Sequence, residues 1–350
     1  MGVPASSGNG GGESGYGRAG NGPRPLSVRE LSFAWTLAAR AEAKSEKTVS
    51  AMLGSLRYFV NYMDSIGFPD EAGAVSPVLL RSYMVYLQHK PAFSRHPFSH
   101  EQPRLLSDQT VNGYLRALRA FFNWLASEGF IQDSPFFRLK LPRLRQRIIK
   151  PYGPGDLNGL LGAVDTSSPE GYRDLCLLLV MFDTAARSSE VTGMKLGDVD
   201  IYEGCIKVLG KGNRERTVPI GSEVKRRLWR YVKMYRPIPA NPLDDFLFLT
   251  FDGRRLTKNR LHAIVKKYSA RAGISGIRCS PHTIRHTAAL AFLQNKGDAF
   301  ALQKLLGHTS LEMTRRYCLL SDGDLKKMHR TASPVDNLHF RDSAARARRA

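Results

Sequence analysis

Between Arg138 and Lys150 the chain reads RLKLPRLRQRIIK, six basic side chains with no acidic one among them. Pro142 lacks an N–H and crowds the preceding turn, so no single helix runs through this stretch, and its charge keeps it at a surface. The patterning differs on either side of it, which excludes one continuous core. Length points the same way: at 350 residues the chain exceeds the ~250 over which a single core usually grows.

Before the basic stretch the period is helical. Val28 to Ala41 forms a first helix, and Val49, Met52, Leu53, Leu56, Phe59, Val60 and Met63 make one apolar stripe. Ser76-Pro77 is a cap followed by a first-turn proline, opening a helix through Leu79, Leu80, Tyr83, Met84 and Leu87. Val111, Tyr114, Leu115, Leu118, Phe121, Phe122 and Leu125 complete a small four-helix domain over residues 26–137. The connection from Gln88 to Leu106 carries Lys90, Arg95, Arg104, His89, His96 and His100, and has two readings, a phosphate contact and a solvated variable loop.

After Pro151 the character is mixed α and β, in a domain spanning residues 151–331. A short helix carries Asp156, Leu157, Leu160, Leu161 and Val164; Ser168-Pro169 then caps a buried helix ending near Ala186. Cys205 to Leu209 and Glu215 to Ile220 read as strands joined at Gly210-Lys211-Gly212-Asn213, a hairpin turn. Phe246 to Thr250, before the Asp252-Gly253 turn, is the other extended element. Residues 1–25 hold nine glycines and three prolines with almost no apolar side chains, and read as a disordered tail. Residues 332–350 read as a basic tail. The fold class expected is mainly α with a small antiparallel β-sheet.

The charge is 52 basic minus 31 acidic residues, +21, which calls for a polyanionic partner, since Lys and Arg on phosphates release condensed counterions. A membrane is disfavoured: the longest apolar run, Leu175 to Phe182, is far shorter than the ~20 residues that span a bilayer. No secretion signal is visible. The four cysteines, Cys176, Cys205, Cys279 and Cys318, form no C-x-x-C pair, so a reduced cytoplasmic compartment is expected, with the cysteines acting as small hydrophobes. There is no P-loop, no H-E-x-x-H and no cluster of acidic residues, so neither cofactor nor metal is expected.

Candidate chemistry is concentrated in the second domain. In PHTIRHT, Pro281 to Thr287, His282 and Arg285 lie three apart on one helix face near its N-terminus, the outline of a phosphate pocket. TAARSSEV, Thr184 to Val191, sets Arg187 just after a buried helix, where a charge must be paired or serve a site. Glu190 is a structural partner for a neighbouring cation. Lys211 sits at the hairpin tip; His308 follows Gly307 in LLGHTS, and Tyr317 lies in RRYCLL nine residues later. Taken singly, His308 and Tyr317 also fit as core-facing helix residues.

In this order Arg187, Lys211, His282-x-x-Arg285, His308 and Tyr317 resemble the active-site series of the tyrosine recombinase (phage integrase) family, over about Pro151 to Met328. Ala185-Ala186 stands where that family commonly has Gly-Leu, and Ile284 where it often has Leu; every reactive group is retained. The resemblance implies a Xer-like arrangement of a helical, SAM-like core-binding domain and a mixed α/β catalytic domain. It implies a metal- and ATP-independent enzyme that cleaves DNA strands through a 3′-phosphotyrosyl intermediate and rejoins them, for integration, excision, transposition or resolution. Arg187 and Arg285 would clamp the phosphate, Tyr317 attack it, Lys211 protonate the departing 5′-oxygen, His282 assist proton transfer and His308 donate to the phosphate. Lys140, Arg143, Arg145, Arg147 and Lys150 in the linker are expected on the DNA backbone. The partners implied are double-stranded recombination sites, a homotetramer on two sites with a dimer on each, and an accessory DNA-bending or directionality protein. In the family a C-terminal helix packs on the adjacent protomer, and about Ser321 to Arg330 is its equivalent. Type IB topoisomerase-like relaxation and a catalytically silent DNA-binding protein remain the competing readings.

Overall fold

The computed structural model describes residues 26–92, 102–142, 149–210 and 214–320. The two tails, the Ser321–Arg330 segment, Arg95, His96, His100, Arg143, Arg145, Arg147 and Lys211 therefore lie outside the described residues, as does the side chain of Cys318. The chain divides into two compact units, Met1–Gln146 and Arg147–Ala350.

In the first unit the main helices are α1 (Val28–Ala41), α2 (Glu46–Ser65), α3 (Pro77–Gln88) and α4 (Asp108–Ser127). Each opens on a serine, Ser27, Ser45, Ser76 or Ser107, whose hydroxyl accepts a first-turn N–H; such a cap contributes about 1 kcal/mol. The apolar stripes read from the sequence meet in one core, in which Phe59 sets its ring edge-on to Tyr83 (5.0 Å) and Phe122 (6.2 Å). The Gln88–Leu106 connection holds a short antiparallel ladder, β1 (Pro91–Ala92) with β2 (Gln102–Leu105). Strands this short leave no alternation to detect. Lys90 lies at its base with its ammonium 4.5 Å from the Tyr58 ring centroid and 4.7 Å from that of Tyr86, so it is held by cation–π contact rather than free in a loop.

The second unit begins with α5 (Pro154–Gly162), α6 (Pro169–Thr184) and the single turn α7 (Ser188–Val191). A three-stranded antiparallel meander follows, β3 (Val199–Asp200), β4 (Cys205–Leu209) and β5 (Glu215–Pro219), with Ile206 opposite Val218 and Val208 opposite Arg216. Then come α8 (Ser222–Arg230), a π-helical turn at Tyr231–Tyr235, α9 (Lys258–Arg271), α10 (Pro281–Gln294), α11 (Ala299–Leu306) and α12 (Glu312–Leu320). The architecture is mostly helical with small antiparallel sheets, as expected. Cys176 is buried, and Cys205 and Cys279 are half-buried.

One local expectation fails. Phe246 to Thr250 forms only the isolated bridges Lys195↔Phe246 and Leu249↔Arg255; Leu247, Phe248 and Leu249 are buried in succession, whereas a half-buried strand would alternate. The buried helix α6 ends at Thr184, near Ala186 as expected, because Ala185 turns left-handed at φ 49°. Most apolar side chains of this unit fill one large core. A second, smaller one gathers Ala185, Ala288, Ala289, Leu302, Leu306 and Tyr317.

Within α6 a buried ion pair joins Arg173 and Asp174. Nε and Nη2 of Arg173 donate to Asp174 Oδ1 at 2.9 and 2.7 Å, and Nη1 donates to the Leu249 carbonyl at 3.1 Å. The Tyr268 hydroxyl donates to Asp174 Oδ2 at 3.0 Å. Every charged atom of the pair is thereby answered from inside the fold.

Candidate active site

Three helix boundaries and one helix surround the small alanine-rich core and set the side chains of the site. The first is the end of α6, where the left-handed Ala185 turns the backbone so that its carbonyl accepts from Arg285 Nη1 at 2.6 Å. Glycine adopts this conformation without the clash of a Cβ with the following carbonyl, which costs an L-residue roughly 1–2 kcal/mol. Two residues on, Arg187 is the cap residue of α7; Glu190 reaches back to accept its N–H at 2.7 Å and its Nη1 at 2.9 Å. The Arg187 side chain remains 35 % exposed while that of Glu190 is 1 % exposed.

The second break opens α10. Ser280 caps it and Pro281 fills its first position. His282 is exposed on the first turn and Arg285, one turn on, is buried. The spacing thus aligns the two as expected, but only His282 faces solvent. Arg285 satisfies itself on chain ends: Nη2 donates to the Leu306 carbonyl at 2.9 Å and lies 3.3 Å from His308 Nε2. Burial, then the repulsion of Arg187, lowers the pKa of Arg285 to about 10 against the attraction of Glu190 and Tyr317.

The third break ends α11. Gly307 is left-handed at φ 61°, its N–H donates to Lys304 and the N–H of His308 to Gln303, each at 3.1 Å, a Schellman ending. This turn delivers the buried His308 to the site. A guanidinium can only donate, so Nε2 of His308 is the acceptor toward Arg285, and Nδ1 carries the proton toward Thr314 Oγ1 at 2.9 Å. The fourth element is α12, which places Tyr317, 1 % exposed, against the small core. Its ring centroid lies 5.1 Å from that of His286 and 6.4 Å from that of His308.

Arg187, Arg285, His308 and Tyr317 are therefore brought together around one small core, and His282 stands exposed on α10 one turn before Arg285. Lys211 lies outside the described residues. Of the linker cations Lys140 and Lys150 are both exposed, and Arg143, Arg145 and Arg147 are not described. Sequence reasoning missed three residues of the site. Thr314 orients His308, and His286 stands beside Tyr317. Arg216 donates Nη1 and Nη2 to the two oxygens of Glu190 at 3.0 and 2.9 Å. Burial pushes the Glu190 carboxyl up, but the Arg216 fork and the Arg187 contacts outweigh it and hold its pKa at about 2. A signal for Arg216 existed: it alternates with Val218 and Ile220, so the charge occupies an inward strand position.

Among the described residues no group of three or more His, Cys, Asp and Glu side chains converges as a metal would need. Nor is any described helix long and apolar enough to cross a membrane. Two guanidinium forks, the His308 imidazole and a tyrosine gathered at one small core are the residue types that phosphodiester transfer through a tyrosine calls for.

Comparison with known proteins agrees. The profile of the phage integrase family matches residues 154–323. The chain is 31 % identical over 293 residues to tyrosine recombinase XerD of Listeria monocytogenes, covering 83 % of this chain and 93 % of that one. It is 34 % identical over 245 residues to tyrosine recombinase XerC of Pelotomaculum thermopropionicum, covering 69 % and 80 %. In fold it is similar to the XerH site-specific recombinase bound to its difH substrate, with a TM-score of 0.65 at 21 % identity over 89 % of this chain and 85 % of that one. The Tn1549 transposon integrase gives a TM-score of 0.66 at 18 % identity over 88 % and 100 %. The chain belongs to the phage integrase family of tyrosine recombinases. It is a Xer-like site-specific recombinase, a DNA strand-exchange enzyme.

Proposed function

We propose that this recombinase cleaves DNA with Tyr317 as nucleophile on a phosphate held by Arg187 and Arg285. The observation that carries the reading is the position of Arg285, which ties the Ala185 turn, the end of α11 and His308 together within 3.3 Å of its guanidinium. In the proposed step the Tyr317 oxygen attacks phosphorus in line, the bond to the 5′-oxygen breaks, and a 3′-phosphotyrosyl link replaces it. Arg187, half-exposed, and Arg285 neutralise the charge that grows on the nonbridging oxygens. His282 takes the tyrosine proton and Lys211 protonates the leaving oxygen. His308 donates to the phosphate from Nε2 when its ring is doubly protonated. The link conserves the phosphodiester bond, so a partner strand's 5′-hydroxyl reverses the reaction without ATP.

The DNA contacts of the core-binding unit (26–137) and the linker (138–150) belong to the same reading, as do a dimer on each site, a tetramer on two and action on DNA in the cytoplasm. An accessory bending or directionality protein fits that assembly. Related folds support the DNA partner: XerH is seen bound to difH, the Tn1549 integrase to a circular DNA intermediate and a lambda integrase dimer to a core site.

The test is a nicked recombination site incubated with protein in EDTA. A protease-sensitive protein–DNA adduct is expected from the wild type and none from Tyr317→Phe; an undiminished adduct from that variant removes Tyr317 as nucleophile. Replacing Arg143, Arg145 and Arg147 is expected to weaken binding and to flatten its salt dependence, the slope falling by about one for every phosphate left without its cation. An unchanged slope puts the linker off the DNA.

A further inference from the structure

Arg216 spends its guanidinium on the two segments that frame the phosphate pocket. Its Nη1 and Nη2 grip both oxygens of Glu190, and its Nε donates to the Leu305 carbonyl at 3.1 Å. Glu190 in turn accepts from the Arg187 N–H and from Arg187 Nη1, so all of its hydrogen bonding goes to these two arginines. Leu305 lies in the last turn of α11, whose carbonyls lack helical partners; that of Leu306 is taken by Arg285. The approach at Gly307 is close. A Cβ there would lie 3.0–3.2 Å from the Arg216 side chain, so the turn that launches His308 rests directly on this guanidinium.

We propose that Arg216 is a positioning residue for strand cleavage: acting through Glu190 and through the Leu305 carbonyl, it fixes the Arg187 segment relative to the His308 turn. The inference rests on the reading that Arg187 and His308 hold the scissile phosphate. Arg216 itself does not bind DNA. Its side chain is 14 % exposed and each of its three nitrogens is already engaged inside the protein. Lysine at this position keeps the charge but offers one compact ammonium, which cannot span two carboxylate oxygens and a carbonyl on a different segment.

The experiment compares wild type, Arg216→Lys, Arg216→Met, Glu190→Gln and the Glu190→Gln/Arg216→Met double variant. For each, DNA affinity over a salt series and the adduct-forming rate on nicked DNA at saturation are measured, with thermal unfolding to give the folded fraction. R216K is expected to bind DNA within about twofold of wild type with the same salt slope. Its adduct rate is expected to fall about 30- to 100-fold, the scale that a misplacement near 1 Å produces. The double variant is expected to lose no more than the worse single one, because both break one linkage. Three results overturn the proposal: a rate loss in R216K no larger than its loss of folded protein, a salt slope reduced by about one, which marks a direct phosphate contact, or additive losses in the double variant. Wild type run alongside separates the two readings. If wild type forms no adduct, the phosphotyrosyl reading falls and the role of Arg216 with it; if R216K forms adduct at the full rate, only the positioning role falls.

Discussion

Two buried carboxylate–guanidinium pairs lie in the same unit and differ in one respect. Arg173–Asp174 is closed in its hydrogen bonds: its side chains are 4 % and 3 % exposed, the remaining bonds go to Leu249 and Tyr268, and the exposed Glu170 carboxylate stands 4.0 Å from Arg173 Nη1, beyond hydrogen-bond reach. Arg216–Glu190 is equally well bonded, but Glu190 also holds Arg187, which is 35 % exposed. A closed pair offsets its own desolvation and leaves nothing over. An open one transmits buried order to a cation that faces outward, and only the second arrangement serves a ligand.

Breaking the closed pair should cost the most. Arg173→Ala leaves a buried carboxylate without its counter-charge and should cost about 3–5 kcal/mol, read by denaturant unfolding, whereas a joint Arg173→Met/Asp174→Leu replacement should be near neutral. If the single variant unfolds like wild type, the pair is not closed in the sense described. Next in size is Arg285→Lys, which loses the planar fork that spans the Ala185 and Leu306 carbonyls beside His308; adduct formation should drop about 10²- to 10³-fold with DNA affinity little changed. An adduct rate close to wild type would place phosphate clamping elsewhere.

Acid titration separates the pairs by a smaller margin. The pKa of Glu190 is lowered from 4.5 to about 2 in the fold, so its stabilisation is complete above pH 4.5 and is lost as pH falls toward 2. At 1.36 kcal/mol per pKa unit the contribution does not exceed about 3 kcal/mol. The stability gap between wild type and Glu190→Gln should therefore narrow below pH 4.5; a constant gap contradicts the assignment. Smallest is Ala185→Gly. Relief of the left-handed conformation, about 1 kcal/mol, opposes loss of a buried methyl worth about 0.8 kcal/mol, so unfolding should shift by less than 1 kcal/mol while cleavage is retained. A large drop in cleavage would show that the methyl itself shapes the Arg285 contact.

Helix starts and ends were legible because their chemistry is local: Ser76-Pro77 and Ser168-Pro169 open a helix, Gly307 closes one, and each lies where the sequence places it. The candidate series was legible as an ordered set of residue types, and the structure brings Arg187, Arg285, His308 and Tyr317 of that set to one small core. The cross-chain bonds that arrange them were not. Arg216 meets Glu190 across 26 residues and Leu305 across 89, and no local pattern specifies such partners. For the same reason the Phe246–Thr250 run passed for a strand: an apolar run does not reveal how many sides are covered.

The identity of the nucleophile is tested most directly by mass spectrometry of the trapped protein–DNA adduct after proteolysis and nuclease digestion. A residual nucleotide is expected on the peptide containing Tyr317, attached through its phenolic oxygen. A nucleotide on any other residue, or a serine ester in place of a tyrosine one, would contradict the assignment of Tyr317.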